Sequence, residues 1–157
     1  FTLNRRVLLA DRENLRRLME ALLEQAAGTP IVAPLHTYVS DAIKELGLHA
    51  PNLHIMLPQS YLSFGYLVNN AQGIVTDSGN VAEEATFLNI PCITLNSFAE
   101  HPETWREGTN ELVGEDPAAL ADALGRLMTG RWKQGKLPER WDGRTAERII
   151  QILLGLA

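Results

Sequence analysis

The sequence predicts an α/β protein with a parallel sheet of about six strands between helices, three layers deep. Two observations carry that expectation. Short, apolar, β-rich runs alternate with helical patterns along the chain, the order that right-handed crossovers between parallel strands produce. The polar clusters, at residues 11–14, 34–37, 58–60, 77–80 and 96–103, all fall just after a strand-like run. In a parallel sheet those positions share one edge, where such proteins bind ligands.

The elements follow in order. Residues 6–10 (RVLLA) read as the first strand. Residues 12–26 read as a helix with Leu15, Leu18, Met19, Leu22 and Leu23 on one face. Residues 30–33 form the next strand, followed by a helix over about 38–46 that stops at Gly47. Further strands are expected at 53–56, 73–76 and 92–95, separated by helices near 61–69 and 81–88, with a sixth strand at 111–113. Asp116 then caps a helix that has Pro117 at its first position and runs to about Met128. A loop rich in Gly, Pro and Trp spans 130–143, and a last helix runs from Thr145 through Leu154. No internal repeat, low-complexity tract or second domain interrupts this pattern, so residues 1–157 read as one domain.

Composition narrows the function. With 45% hydrophobic and 21% charged residues the chain has a soluble, globular balance, and no apolar run approaches the roughly 20 residues of a membrane helix. A net charge of −5 argues against a nucleic-acid partner, and the pairs Arg5-Arg6 and Arg16-Arg17 are too short to form a basic stripe. The one cysteine, Cys92, lies in a strand-like run and cannot form an internal disulfide, which suits a reducing cytoplasm. His36, His49, His54 and His101 lack the spacing of metal ligands, so neither a metal nor another cofactor is expected. The chain opens on Phe1 without a secretory leader, which suggests a fragment of a longer protein.

The stretch TDSGNVAEEATFLNIPCITL, residues 76–95, says most about chemistry. A buried strand runs into Asp77-Ser78-Gly79-Asn80 and then into a helix. The first N–H groups of a helix lack partners within it, its dipole places partial positive charge there, and Gly79 lets a phosphate approach the backbone. Glu83 and Glu84 follow one turn later. A carboxylate at that distance suits sugar hydroxyls, as in dinucleotide folds where an acid holds a ribose. The same residues also read as a plain Ser78 cap with acids complementing the dipole.

The order of motifs resembles the carboxyl-terminal half of the UDP-N-acetylglucosamine 2-epimerases, over nearly the whole chain. LLADREN (8–14) stands for the family's H-R-x-E-N-like segment after the first strand, and APLH (33–36) for its P-x-H segment. Pro58, Tyr61 and Phe64 match P-x-x-Y-x-x-F, and residues 76–85 match T-D-S-G-G-x-x-E-E-A. Residues 99–103 and 108–114 match T-E-R-P-E and G-T-N-x-L-V-G.

The resemblance implies a Rossmann-like domain, one half of a glycosyltransferase-B-like protein whose substrate sits between the halves. Arg12, Ser78, Gly79, Asn80 and His101 would meet the diphosphate, Glu84 the ribose and Phe64 the uracil. His36 would assist departure of UDP. The family removes the proton beside an N-acetyl group, expels UDP to give an unsaturated sugar, and adds UDP back with inversion at C2 or hydrolyses it. The carboxylates for that chemistry belong to the amino-terminal half, so this chain alone would bind UDP, or UDP-N-acetylglucosamine or a related UDP-sugar, and catalyse nothing. The parent would be a cytoplasmic homodimer serving cell-surface polysaccharide synthesis.

Four positions depart from the family pattern. Asp11 stands for a histidine, Asn80 for a second glycine, and Asn96 and His101 for arginines. An imidazole of variable charge does not replace a permanent, bidentate guanidinium in kind. Three alternatives therefore stay open: a hydrolysing epimerase, a related glycosyltransferase, and a nucleotide-sugar-binding module without catalysis.

Overall fold

The computed structural model describes residues 1–48 and 50–155. His49, one of the four histidines considered above, lies outside the described residues. The model contains β1 (Ile31–Pro34), β2 (Leu53–Met56), β3 (Ile74–Thr76), β4 (Cys92–Thr94) and β5 (Asn110–Leu112). The helices are α1 (Arg6–Ala10), α2 (Arg12–Ala26), α3 (Thr37–Glu45), α4 (Tyr61–Asn69), α5 (Gly79–Phe87), α6 (Glu103–Arg106), α7 (Pro117–Met128) and α8 (Thr145–Leu153).

Residues 6–10 are helix, not the expected first strand, and the five strands among the described residues form two parallel sheets, β1-β2 and β3-β4-β5. The reason lies just upstream. The Phe1 nitrogen donates to the Val32 carbonyl at 2.8 Å, Thr2 N–H donates to the Val75 carbonyl at 2.9 Å, and the hydroxyls of Thr2 and Thr76 lie 2.7 Å apart. Residues 1–3 thus run extended between β1 and β3 and fill the gap between the two sheets. The strand position is taken before Arg6, and of the next five residues only Leu8 is buried, with Val7 at the surface. A short apolar run cannot be assigned to strand or helix by periodicity alone. Across the layer the order is β2, β1, residues 1–3, β3, β4, β5. In chain order this is 3-2-1-4-5-6, with its switch point between residues 1–3 and β3.

Both faces are covered at β3 and β4. On one, α2, α3 and α7 bury Leu15, Leu18, Met19, Leu22, Val39, Ile43, Leu120 and Leu124 against Ala33, Val75 and Ile93. On the other, α4 and α5 place Val68, Ala82 and Ala85 over Ile74 and Cys92. β3 and β4 are buried at every residue, as strands covered on two faces are. Capping sets the helix starts. The Asp11 carboxylate accepts from Asn14 N–H at 3.0 Å to open α2, and Asp116 accepts from Ala118 N–H at 2.8 Å to open α7 behind Pro117.

Gly108 is required by space. A methyl group at Gly108, where α6 turns into β5, would stand 2.6 Å from the Thr104 carbonyl oxygen and 2.7 Å from Thr86 Oγ1. Gly108→Ala is expected to lower stability by about 1–3 kcal/mol through overpacking, read as a fall in the urea midpoint; an unchanged midpoint would contradict the tight junction.

Candidate anion pocket at the switch point

A small polar pocket of about 140 Å³ opens at the carboxyl ends of the strands beside the switch point. Thr94, Asn110 and Thr104, all buried, form one wall: Thr94 Oγ1 donates to Asn110 Oδ1 at 2.5 Å, and Asn110 Nδ2 donates to Thr104 Oγ1 at 3.3 Å. Gly79 supplies the first turn of α5, and Phe98, Glu100 and His101 close the outer side.

Two buried groups hold Arg5 in place. The Asp77 carboxylate accepts backbone N–H bonds from Asn4 at 2.7 Å and Arg5 at 2.6 Å, pinning the chain where residues 1–3 leave the sheet. Asn96 donates through Nδ2 to the Asp77 carbonyl at 3.1 Å and accepts from Arg5 Nη1 through Oδ1. The guanidinium also lies over the Phe98 ring, 5.7 Å from its centroid. Arg5 is the one guanidinium among the described residues that line this pocket.

Of the residues expected to bind ligand, Gly79 and His101 line the pocket. Ser78 and Asn80 flank Gly79 at the start of α5. Ser78 is the N-cap residue, yet its hydroxyl makes no capping bond, while its N–H donates to Thr76 Oγ1 at 3.0 Å. The plain-cap account of Ser78 therefore fails. Glu84 follows on the same helix; partial burial, and then the neighbouring Glu83, push its carboxyl above the usual carboxylate range. His36 caps α3 at the end of β1, exposed and stacked on Tyr38, with centroids 5.7 Å apart. The Tyr38 hydroxyl in turn hydrogen-bonds Asn4 Oδ1, so His36 stands on the same edge, outside the pocket.

Arg12 and Phe64, also expected, do not line the pocket. Arg12 lies at the first position of α2, where Nη1 donates to the Ala42 carbonyl at 2.9 Å and Nη2 pairs with Glu45. It ties α2 to α3. Phe64 packs with the smaller core and lines a separate apolar groove of about 390 Å³ with Leu67 and Pro34, as an aromatic on a helix facing a sheet usually does. Asp11, taken above as a departure at the phosphate site, caps α2 instead and takes no part in the pocket. The residue missed was Arg5, together with the task of Asp77 and Asn96 in holding it. Its signal was Phe1-Thr2-Leu3 followed by the polar pair Asn4-Arg5, a segment too short to show a pattern.

Among the described residues, no three of His, Cys, Asp or Glu stand together so as to hold a metal ion. None of the described helices is long and apolar enough to cross a membrane.

A doubly wound αβα layer with a polar pocket at its switch point, walled by a helix start, is the arrangement in which open α/β sheets place their ligand sites. Residues 1–154 match the family model of UDP-N-acetylglucosamine 2-epimerase, and the chain belongs to that family. It is 35% identical to the UDP-N-acetylglucosamine 2-epimerase of Methanocaldococcus jannaschii over 97% of its own length and 43% of the relative's. It is 34% identical to the Yersinia pestis enzyme of the same name over 87% of its length and 39% of the relative's. The solved Methanocaldococcus jannaschii UDP-GlcNAc 2-epimerase in complex with UDP-GlcNAc and UDP superposes with a TM-score of 0.78 at 33% identity, covering 98% of this chain and 44% of that one. The Neisseria meningitidis enzyme bound to UDP-GlcNAc gives 0.83 at 28% identity, covering 98% and 43%. The chain thus spans less than half the length of the relatives it matches.

Proposed function

We propose that this chain is the nucleotide-binding half of a UDP-N-acetylglucosamine 2-epimerase, holding UDP while the sugar reacts against a second half. The observation that carries this is the pocket at the switch point, where the start of α5 and the Arg5 guanidinium converge on one small polar space. Backbone N–H groups at Gly79 and Asn80, the free Ser78 hydroxyl and Arg5 would hold the diphosphate, and Glu84 would accept hydrogen bonds from the ribose. A diphosphate held this way is a better leaving group, because the charge that builds up as the sugar bond breaks meets donors already in place. His36, on the same edge, is the group we assign to assist that departure. A reducing cytoplasm accords with Cys92, a buried free thiol that burial holds at a pKa of about 12 and so keeps unreactive.

Calorimetric titration with UDP, using ADP as control, tests the proposal: saturable UDP binding that ADP does not reproduce supports it. Glu84→Ala is expected to weaken UDP binding by about 1.5–3 kcal/mol, and Ser78→Ala by about 0.5–1.5 kcal/mol, the ranges for charged and neutral hydrogen bonds. Negligible effects from both would remove the site.

A further inference from the structure

The buried wall of the pocket is a single line of hydrogen bonds with a fixed direction. It runs from Thr94 on β4 through Asn110 on β5 to Thr104 on α6, all buried, and ends where Thr104 Oγ1 meets the His101 carbonyl oxygen at 2.8 Å. That last contact decides the rest. A carbonyl can only accept, so the Thr104 hydroxyl proton is committed to it, and the hydroxyl oxygen accepts from Asn110 Nδ2 at 3.3 Å. The amide is thereby turned with Oδ1 toward Thr94, whose hydroxyl donates to it at 2.5 Å. Polar side chains sealed from water are costly unless each is paired. Here each is paired, and the line delivers its last donor to a loop.

That loop is the outer side of the pocket. Phe98, Ala99, Glu100 and His101 line it, yet among the described residues 97–100 make no backbone hydrogen bond. The loop is held at its ends instead. At one end the Asn96 carbonyl accepts from Gly114 N–H at 3.1 Å, and the Asn96 side chain is tied to Asp77 and Arg5. At the other the His101 carbonyl accepts from Thr104 N–H at 3.1 Å as well as from the Thr104 hydroxyl. Resting on the nucleotide reading above, we propose that Thr104 and Asn110 are positioning residues of the diphosphate site. They set the His101 end of the loop, and with it the wall that closes over a nucleoside diphosphate. Thr104 acts through His101 and not on the ligand, since its hydroxyl proton is already committed.

The test joins calorimetric titration with UDP to the backbone amide spectrum of the ligand-free chain. Thr104→Val keeps the shape of the side chain and removes the hydroxyl. It is expected to weaken UDP binding roughly three- to tenfold, the effect of one neutral hydrogen bond, and to shift the amide resonances of residues 98–101 before any ligand is added. Thr104→Ser, which keeps the hydroxyl and loses the methyl group, should recover both the affinity and the spectrum, whatever either variant does to the urea midpoint. Thr94→Val removes the first donor of the line and should weaken binding by less. Combined with Thr104→Val it should add nothing further, because the two act through one line. If Thr104→Val does not fold, Thr94→Val decides: weaker binding with shifted amides at 98–101 supports the inference, and wild-type affinity overturns it. Wild-type affinity in Thr104→Val, equal losses in Thr104→Val and Thr104→Ser, or additive losses in the double variant would overturn the inference while leaving the nucleotide site standing. No UDP binding by the wild-type chain would overturn the nucleotide reading and the inference with it.

Discussion

Replacing Asp77 with alanine is expected to cost about 1–3 kcal/mol of stability, because it strands two part-buried N–H donors, each with partial relief from water. The carboxylate accepts from Asn4 and Arg5 and sits 6% exposed at the end of β3, so solvent gives only limited compensation. The loss should also free the chain where residues 1–3 leave the sheet, loosening the link between the β1 and β3 sheets. Asp77→Asn keeps an acceptor oxygen and should cost less than half as much. Urea denaturation of both variants checks this, and a difference of under about 0.5 kcal/mol between Asp77→Ala and wild type would mean that the two N–H bonds do not hold the segment.

The second large effect falls on binding. Arg5→Ala is expected to weaken UDP binding about ten- to 150-fold, the equivalent of a charge-assisted contact worth about 1.5–3 kcal/mol. Arg5→Lys should fall between, since it keeps the charge and loses the planar fork. Arg12→Ala, which removes a cation engaged with Glu45 and the Ala42 carbonyl, should leave UDP affinity within about twofold. Titration of the three variants decides between the two arginines, and the reverse order of effects would return the phosphate contact to Arg12.

The contrast between Arg5 and Arg12 shows how far the sequence can be read. Wherever a pattern had room to repeat, the elements were legible. α2 declared itself through Leu15, Leu18, Met19 and Leu22, and α7 through Asp116-Pro117. β3 and β4 showed as β-branched runs, and the helix between them was expected near residue 81 behind its turn residues, whereas α5 starts at Gly79. The segment between β1 and β3 was not legible. Residues 1–3 are too few for a period to appear, and RVLLA offered an apolar run that suited strand and helix equally. That displacement carried the arginine assignment with it: a strand ending at Ala10 puts Arg12 at the ligand edge, whereas one ending at Leu3 puts Arg5 there. Asp77 and Asn96 were visible as turn residues, but their task of holding Arg5 spans more than 70 and 90 positions of sequence respectively, and only the fold brings such groups together. Phe64 followed tertiary packing, with its ring in the smaller core. His101, singled out from the sequence, lines the pocket, while its two carboxylate neighbours, Glu83 and Glu103, come from different helices.

The most direct test of the central claim is a titration of the isotopically labelled chain with UDP, followed through its backbone amide resonances. The account predicts that the largest shifts fall on Ser78, Gly79 and Asn80 at the start of α5, and on Arg5, with small changes around the apolar groove at Leu67 and Val68. Saturable binding that moves the groove residues and leaves the amides of residues 78–80 in place would contradict it.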